Sequence, residues 1–341
     1  MNIVNLQALP EEEQRSPSGK FHSYSRNVSV ALGGIRHAGT WGGGHPFDFQ
    51  IRRLPPGAAV CPFHLHLAQW ELFLVRSGRG TVRAGTETHA VGPGEVFVHP
   101  PGEPHQLINS GPTDLEVFIF ADNPPLDAFY YPDSDKWGMR PPGKIFRMSE
   151  TDYFDGEDPA TGGDGKPHQP SAAPRPASAT PFLQRKVRLD DIAWEPWESP
   201  KGKFRATGKG ISLALGAKPN APTGLGGHPF DLELGRIAPG ARCNPYHSHA
   251  AQWELFIIME GTATVRAADA TAVLQAGEVV LHPPGEAHGL ANSGPTDLYY
   301  LLVADNPPVD YWHYPDSGKW GFPVPRKYFR AQETAYYDGE E

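Results

Sequence analysis

Two groups of histidine and glutamate residues have the composition and spacing of transition-metal sites. In each group two histidines are separated by one residue, a glutamate follows five residues later, and a further histidine comes after a Pro-Pro-Gly turn. The first group is His64, His66, Glu71 and His105, and the second is His247, His249, Glu254 and His288. Three imidazoles and one carboxylate leave one or two positions free on a six-coordinate ion. They suit Mn, Fe, Ni, Co or Zn better than Ca or Mg. We therefore predict one divalent transition metal ion for each group.

These side chains can meet only if β-strands position them. Side chains two residues apart on a strand face the same side, so His64 and His66 are expected to point at one spot. Glu71 follows a turn and can face that spot from the neighbouring strand. His105 can reach it from a further strand after its Pro-Pro-Gly turn. The same argument applies to the second group.

The two groups belong to a repeat with a constant offset of 183 residues. HPFDF at His45 returns as HPFDL at His228, and QWELF at Gln69 returns at Gln252. A period of this length indicates a duplicated domain rather than a solenoid. The predicted division is a first domain over 1–158, a Pro/Ala/Gly-rich linker over 159–180 and a second domain over 181–341.

Each copy consists of short apolar segments separated by turn signals such as PPG, GPG and NSGPTD. No convincing amphipathic helix longer than two turns is present, and such spacing of strands is typical of an all-β sandwich or barrel. In the first copy the predicted strands are Val28–Leu32, Phe47–Leu54, Trp70–Arg76, Thr81–Ala84, Glu95–Val98, Gln106–Asn109 and Leu115–Ala121.

The two histidine-containing strings of the first copy are HLHLAQWELFLVRSG from His64 and GEVFVHPPGEPHQLIN from Gly94. With their repeats, they resemble the two sequence motifs of the cupin superfamily, whose ligand positions map onto the eight residues of the two groups. The resemblance covers both halves. It implies a bicupin, with two tandem jelly-roll (double-stranded β-helix) barrels and a metal site inside each. The tails YPDSDKWG and YPDSGKWG resemble those of a group of mostly uncharacterised cupins, and that kinship implies no specific reaction.

Further repeated residues are candidates for supporting roles. Hydrogen bonds to a metal ligand or to a substrate are candidate roles for Gln69, Gln252, His99 and His282, and stabilisation of the turn is the alternative for the two histidines. Contact with a substrate is the candidate role for Phe73, Phe256, Trp70, Trp253, Arg83 and Arg266. The alternatives are packing of the aromatic rings and plain surface exposure of the arginines. Aromatic rings near the ligands would make a partly apolar pocket.

Composition and charge restrict the partners. The net charge of −9 gives no basic surface for nucleic acid. No apolar run approaches the length of a membrane span, and the N-terminus lacks the features of a signal peptide. Cys61 and Cys243 are the only cysteines, which favours a cytoplasmic protein without a disulfide framework. A small organic molecule is the expected partner, and edge strands favour assembly into a homodimer.

Three classes of function remain open at this stage. The leading hypothesis is a metal-dependent oxidoreductase of the dioxygenase kind, because open coordination positions can bind substrate oxygens and dioxygen together. A metal-dependent sugar or sugar-phosphate isomerase, with His99 or His282 as the base, is the first alternative. A protein that binds a small ligand without catalysis is the second.

Overall fold

The computed structural model describes residues 1–151, 153–154, 157, 180–268, 270–323 and 326–340. Within these residues the chain consists almost entirely of β-strands and turns, so the all-β prediction is confirmed. Thr180 is the only part of the predicted linker over 159–180 that the structure describes. No helix in the described ranges is long and apolar enough to cross a membrane.

The elements of the two halves follow one another in the same order. The first half contains β1 Asn2–Asn5, β2 Glu12–Arg15, β3 His22–Asn27, α1 Val28–Ala31, β4 Phe47–Leu54, β5 Leu65–His66, β6 Glu71–Ser77, β7 Gly80–Ala84, β8 Glu87–Val91, β9 Glu95–His99, β10 His105–Ile108, β11 Leu115–Asp122, β12 Asp127–Tyr131, β13 Lys136–Arg140 and β14 Lys144–Phe146. The second half contains β15 Lys186–Arg188, β16 Glu195–Glu198, β17 Arg205–Gly210, α2 Ile211–Ala214, β18 Phe230–Ile237, β19 Ser248–His249, β20 Glu254–Glu260, β21 Thr262–Arg266, β22 Thr271–Gln275, β23 Glu278–His282, β24 Gly289–Asn292, β25 Leu298–Asp305, β26 Trp312–Tyr314, β27 Lys319–Pro323 and β28 Arg326–Phe329.

The chain forms two compact units. Their boundaries differ from those of the sequence repeats, because two short segments of the first repeat belong to the second unit. The first unit contains Glu11–Arg26 and Ile35–Lys186, and the second contains Met1–Pro10, Asn27–Gly34 and Val187–Glu341. Strand pairing gives one reason, because β1 adds to the second unit by pairing antiparallel with β23. Independent folding of 1–158 and 181–341 stays a prediction.

In the first unit a large sheet and a small sheet enclose the core. The large sheet contains β9-β6-β11-β4-β3-β2 in this order, and the small one has the order β10-β7-β8. The core contains Phe73 and Val117 from the large sheet and Val82 and Leu107 from the small sheet. A further sheet, β14-β13-β12-β5, carries part of the metal-ligand motif on β5. This is the jelly-roll arrangement that the sequence predicts.

The second unit repeats this arrangement. Its large sheet has the order β1-β23-β20-β25-β18-β17-β16, its small sheet the order β22-β21-β24, and its third sheet the order β19-β26-β27-β28. Phe256 and Tyr300 from the large sheet pack with Val265 and Leu290 from the small sheet. Each half therefore has the same three sheets around one core.

The predicted strand over Val28–Leu32 is wrong, because Val28–Ala31 forms one helical turn. The backbone N–H of Leu32 donates to the Val28 carbonyl at 2.9 Å, which closes the turn. A short apolar run does not distinguish a strand from a helical turn by its pattern alone. Gly33, with a φ of 95°, follows directly and lets the chain leave the helix.

Candidate metal centres

The residues of the first group come together from three strands. His66 lies on the short strand β5, and the backbone of His64 bridges that of His105 at the start of β10. Glu71 is the first residue of β6. The Nε2 atoms of His64 and His66 are 3.1 Å apart, and Nε2 of His105 is 2.7 Å from Oε2 of Glu71. All four side chains thus direct nitrogen or oxygen atoms at one point.

The outer nitrogen of each imidazole in this group is used by a hydrogen bond. Nδ1 of His64 donates to the Pro62 carbonyl at 3.0 Å, and Nδ1 of His105 donates to the Glu103 carbonyl at 2.9 Å. Nδ1 of His66 donates to Oδ2 of Asp127 at 2.6 Å. A proton held on Nδ1 makes Nε2 the atom that each ring turns toward the centre, where it can coordinate an ion once it carries no proton.

The second group has the same geometry. Oε2 of Glu254 lies 2.6 Å from Nε2 of His288, 3.6 Å from that of His249 and 3.8 Å from that of His247. The outer Nδ1 atoms of these rings donate to the Glu286 carbonyl at 3.1 Å, to Oδ2 of Asp310 at 2.7 Å and to the Pro245 carbonyl at 2.9 Å, respectively.

The electrostatics keep both carboxylates ionised and disfavour the charged form of one imidazole in each group. Burial lowers the pKa of His64 well below its usual value and that of His247 to about 4. In His105 and His249 the effect of burial is outweighed by the nearby carboxylates, which raise the pKa. Burial acts to raise the pKa of Glu71, but the hydrogen bond from His105 and the nearby imidazoles hold it well below its usual value. The pKa of Glu254 is lowered by the corresponding imidazoles against the same effect of burial. Neutral imidazole and ionised carboxylate are the metal-binding forms.

Asp127 and Asp310 contact candidate ligands, and the sequence analysis missed them. Besides the bond to His66, Asp127 accepts the backbone N–H of Ala68 at 3.0 Å through Oδ1. Asp310 accepts the N–H of Ala251 at 2.8 Å in the same way. A signal was present, because both aspartates follow the ADNPP repeat at the same offset. The signal was indirect, because 61 residues separate Asp127 from His66.

His99 and His282 lie directly behind one ligand each. The ring of His99 stacks on His105 with centroids 4.1 Å apart, and that of His282 stacks on His288 at the same distance. Nδ1 of His99 donates to Oε2 of Glu103 at 2.6 Å, and Nδ1 of His282 donates to Oε1 of Glu286 at 2.7 Å. These two histidines stack on the ligand rings, and their hydrogen bonds go to the glutamates of the HPPGE turns. The bonds are those of the turn-stabilising alternative, not bonds to a metal ligand.

Gln69 and Gln252 are tied to the backbone near the centres. The Nε2 of Gln69 donates to the Asp122 carbonyl at 2.6 Å, and that of Gln252 donates to the Asp305 carbonyl at 2.7 Å. Gln69 also lines a small cavity together with Asp127 and other residues. Both amides therefore fix the chain just before the ligand glutamates.

Phe73 and Phe256 form apolar walls beside the ligand histidines. The ring of Phe73 is 6.4 Å from that of His105, and the ring of Phe256 is 6.1 Å from that of His288. Alternation along the strand places Trp70, which precedes Glu71, on the opposite face. The same alternation applies to Trp253 before Glu254. The two tryptophans therefore do not share the face of the ligands.

Arg83 and Arg266 lie away from the centres, so the structure does not support their contact with a substrate there. Arg83 forms a bidentate ion pair with Asp133 at 2.7 and 2.9 Å, and Arg266 forms the same pair with Asp316. Arg83 pairs across the strands with Gln106, whereas the ligand His105 pairs with Ala84. Strand alternation consequently turns Arg83 away from the interior.

Comparison with known proteins decides the family. The family profile described as "Cupin domain" matches residues 50–121 and 233–304. The chain is a duplicated cupin protein. Auxin-binding protein 1 of Arabidopsis thaliana is 27% identical over 163 residues, which are 45% of this chain and 72% of that protein. An oxalate-binding protein of Thermotoga maritima is 32% identical over 68 residues, which are 20% of this chain and 55% of that protein.

Solved structures of oxalate decarboxylases share the two-barrel fold of this cupin protein. The Lactobacillus farciminis enzyme in its formate complex is 16% identical with a TM-score of 0.53, over 91% of this chain and 88% of that one. The Bacillus subtilis enzyme at pH 4.6 is 17% identical with a TM-score of 0.52, over 91% and 78%. Each cupin domain of the present chain has a site for one divalent transition metal ion, as the chemistry of its donor set requires.

Proposed function

We propose that this bicupin is a metal-dependent enzyme acting on a small organic molecule, with a dioxygenase-like oxidoreductase reaction as the first candidate. The residues that would hold the ions are His64, His66, Glu71 and His105 in the first domain and His247, His249, Glu254 and His288 in the second. The observation that carries the proposal is the orientation of the imidazoles. All six Nδ1 atoms donate outward, so all six Nε2 atoms face the two proposed ion positions.

An ion held by four protein ligands keeps one or two coordination positions through which it can bind and polarise the oxygens of a substrate. The chain supplies the surroundings for that chemistry. Asp127 and the main-chain carbonyls keep the imidazoles in one orientation. Phe73 and Phe97, stacked with centroids 5.2 Å apart, make an apolar floor that limits water near the ligands. Such a pocket suits a hydroxylated aromatic or a keto acid better than a free sugar, whose hydroxyl groups need polar partners.

The isomerase alternative receives less support from the geometry. A general base must reach the proton that it removes. His99 is only 2% exposed, its Nδ1 is bonded to Glu103, and one ring face is covered by His105. Decarboxylation is the second candidate, because the solved bicupins above are oxalate decarboxylases and a relative of one domain is an oxalate-binding protein.

The first test counts metal ions in protein purified without added metal. We expect two ions per chain, and one ion when His64 and His66 are both replaced by alanine. The matched control is His22→Ala, because His22 bonds Glu13 at 2.8 Å outside the ligand group. Retention of both ions by the double variant would reject the first site.

The second test separates the reaction classes. Protein loaded with Fe(II) or Mn(II) is given catechols, diketones, hydroxy acids and oxalate, and oxygen consumption and carbon dioxide release are recorded together. Stoichiometric oxygen uptake supports the dioxygenase-like reaction. Carbon dioxide release without net oxygen uptake supports decarboxylation. Turnover of a sugar phosphate without either signal would favour the isomerase, and tight binding without turnover would favour a binding protein.

A further inference from the structure

The register of the strands shows which side chains of β4 face the interior of the first unit. Glu71 pairs with Ala121, which pairs with Asp48 on β4. Directly paired residues share a face, and the next residue on that face lies two positions along the strand, about 7 Å away. On β4 these next two positions are Gln50 and Arg52, so both project into the interior that contains the ligand Glu71.

Arg52 is a buried cation whose hydrogen-bond partners are neutral. It is 8% exposed, and its Nη1 donates to Oε1 of Gln14 at 2.8 Å and to Oγ of Ser23 at 2.9 Å. Its Nε donates to Oε1 of Gln50 at 3.2 Å. No carboxylate of the described residues lies within ion-pair distance of this guanidinium. A buried charge without a counter-charge is costly, so an anion bound here would be stabilised.

A second guanidinium points to the same place. Nη2 of Arg36 donates to Oε1 of Gln50 at 3.5 Å, which makes Gln50 an acceptor for both arginines. Nε of Arg36 is buried without a hydrogen-bond partner. Burial lowers the pKa of Arg36 and of Arg52, and the two guanidinium groups repel each other. The charges of Asp48, Glu71 and Glu12 offset these effects only in part. Two positive charges thus face one interior with unused hydrogen-bonding capacity.

The second unit has different residues at all three positions of the two arginines and the glutamine. Arg36, Gln50 and Arg52 correspond at the constant offset to Pro219, Glu233 and Gly235. The space of the Arg52 side chain is also filled. A Cβ atom on Gly235 would lie 2.1 Å from Cζ of Tyr300, the residue that pairs with Gly235 and replaces Val117. The second interior therefore contains a glutamate and a phenol where the first contains two guanidinium groups.

We propose that Arg36, Arg52 and Gln50 form a subsite for the carboxylate of an organic anion inside the first unit, and that the second unit has no such subsite. This rests on the proposed function, because an anion held there would lie in the same interior as the ligand Glu71 of the first centre. Guanidinium groups bind carboxylates through short, charge-assisted hydrogen bonds. Guanidinium groups bind phosphate as well, so inorganic phosphate serves as the competing anion in the test. The two halves would then differ in substrate charge although their metal ligands are the same.

The test measures anion binding by the full-length, metal-loaded protein with isothermal titration calorimetry. The probes are malonate, its neutral analogue malonamide and inorganic phosphate. We expect one malonate per chain, no measurable binding of malonamide, and weaker binding of phosphate. Arg52→Gln, which removes the charge but keeps hydrogen-bonding groups, should weaken malonate binding at least tenfold. Arg52→Lys should retain part of the affinity.

The matched control is Arg53→Gln. Arg53 is the next residue on the strand and forms ion pairs with Glu11 and Asp114 at the surface, so this variant should bind malonate like the wild type. Arg36→Gln provides an independent variant if Arg52→Gln does not fold. The double variant Arg52→Gly, Val117→Tyr introduces the residues of the second unit. It should abolish malonate binding while both metal ions remain.

The outcomes separate this inference from the proposed function. Unchanged malonate affinity in both Arg36→Gln and Arg52→Gln, two malonates per chain, or a preference for phosphate would overturn the subsite. Metal content and oxygen uptake are read on the same samples. Loss of malonate binding with two ions still bound supports the subsite even if no reaction is found. Turnover of a carboxylate substrate whose kinetics are unchanged in both Arg36→Gln and Arg52→Gln would support the enzyme and reject the subsite.

Discussion

One imidazole of each candidate metal centre donates a hydrogen bond to an aspartate. Asp127 and Asp310 accept the Nδ1–H of His66 and His249 at 2.6 and 2.7 Å. Asp127→Asn and Asp310→Asn remove the negative charge that fixes the ring tautomer. We expect each to lower the metal affinity of its own centre by roughly 10- to 100-fold. The affinity is measured by competition with a chelator of known strength.

Asp133→Asn is the control for this prediction, because Asp133 bonds Arg83 at the surface and not a histidine. Its metal affinity should equal that of the wild type. Equal affinities for Asp127→Asn and Asp133→Asn would show that the outer hydrogen bond to His66 does not tune the centre.

Two other buried aspartates predict a pH dependence of stability. Burial raises the pKa of Asp122 and of Asp305 to about 7, against a starting value of 3.8. Between these values the folded chain keeps a proton that the unfolded chain releases. Each group therefore makes the free energy of unfolding fall as pH rises from about 4 to 7. Asp122→Asn and Asp305→Asn should flatten this fall, whereas Asp190→Asn, at a side chain 81% exposed, should not.

The measurement is the free energy of unfolding by urea at several pH values, compared between each variant and the wild type. Metal release at low pH affects both proteins alike, so the difference between the two curves isolates the aspartates. A constant difference between pH 4 and 7 would contradict the assignment.

At the level of elements, the short 3₁₀ helix Phe182–Arg185 completes the first unit. Phe182 is 3% exposed and belongs to the core of that unit, with its ring 5.6 Å from the rings of Phe97 and His99. Phe182→Ala should lower the free energy of unfolding of the first unit by about 3–5 kcal/mol. Leu183→Ala is the control within the same helix, because Leu183 is 61% exposed.

Native-state hydrogen exchange can resolve the two units. Phe182→Ala should accelerate exchange in β9 and β6 of the first unit and leave β20 and β25 of the second unit unchanged. The opposite pattern would mean that Phe182 stabilises the second unit. Leu183→Ala should change neither.

Local patterns predicted the strands better than they predicted which segment joins which unit. The offset of 183 residues places the repeat boundaries well. The offset does not predict which strand pairs with the edge of which sheet. β1 pairs with β23, which lies far along the chain. The eight candidate ligands were found because strand alternation and turns fix them over short distances. Asp127 and Arg52 were missed because their roles depend on contacts between distant strands.

For the whole molecule, duplication has preserved the metal-ligand sets while the interiors have diverged. Both halves keep the four ligands and the aspartate behind the second histidine, whereas Arg52 and Val117 have become Gly235 and Tyr300. The candidate ligands are therefore the shared part of the two interiors, and the wall opposite them is a part that differs. Assembly into a homodimer stays a prediction from the sequence.

Metal binding should stabilise the whole molecule, because each ion would connect three strands that are separate in sequence. In the first unit these strands are β5, β6 and β10. An ion that binds only the folded chain adds about 2.7 kcal/mol to the free energy of unfolding when its free concentration is 100 times the dissociation constant. Above the dissociation constant, every tenfold rise adds about 1.4 kcal/mol per site. We therefore expect the melting temperature to fall on chelation and to rise with the logarithm of free metal.

Calorimetry at buffered free metal concentrations measures this dependence. The variant with His64 and His66 replaced by alanine should lose the metal dependence of the first unit and keep that of the second. His22→Ala should keep both. If complete chelation leaves the melting temperature of the wild type unchanged, the ions do not bind inside the folded cores. An ion bound by several strands must be released when those strands separate, so its removal has to lower the melting temperature.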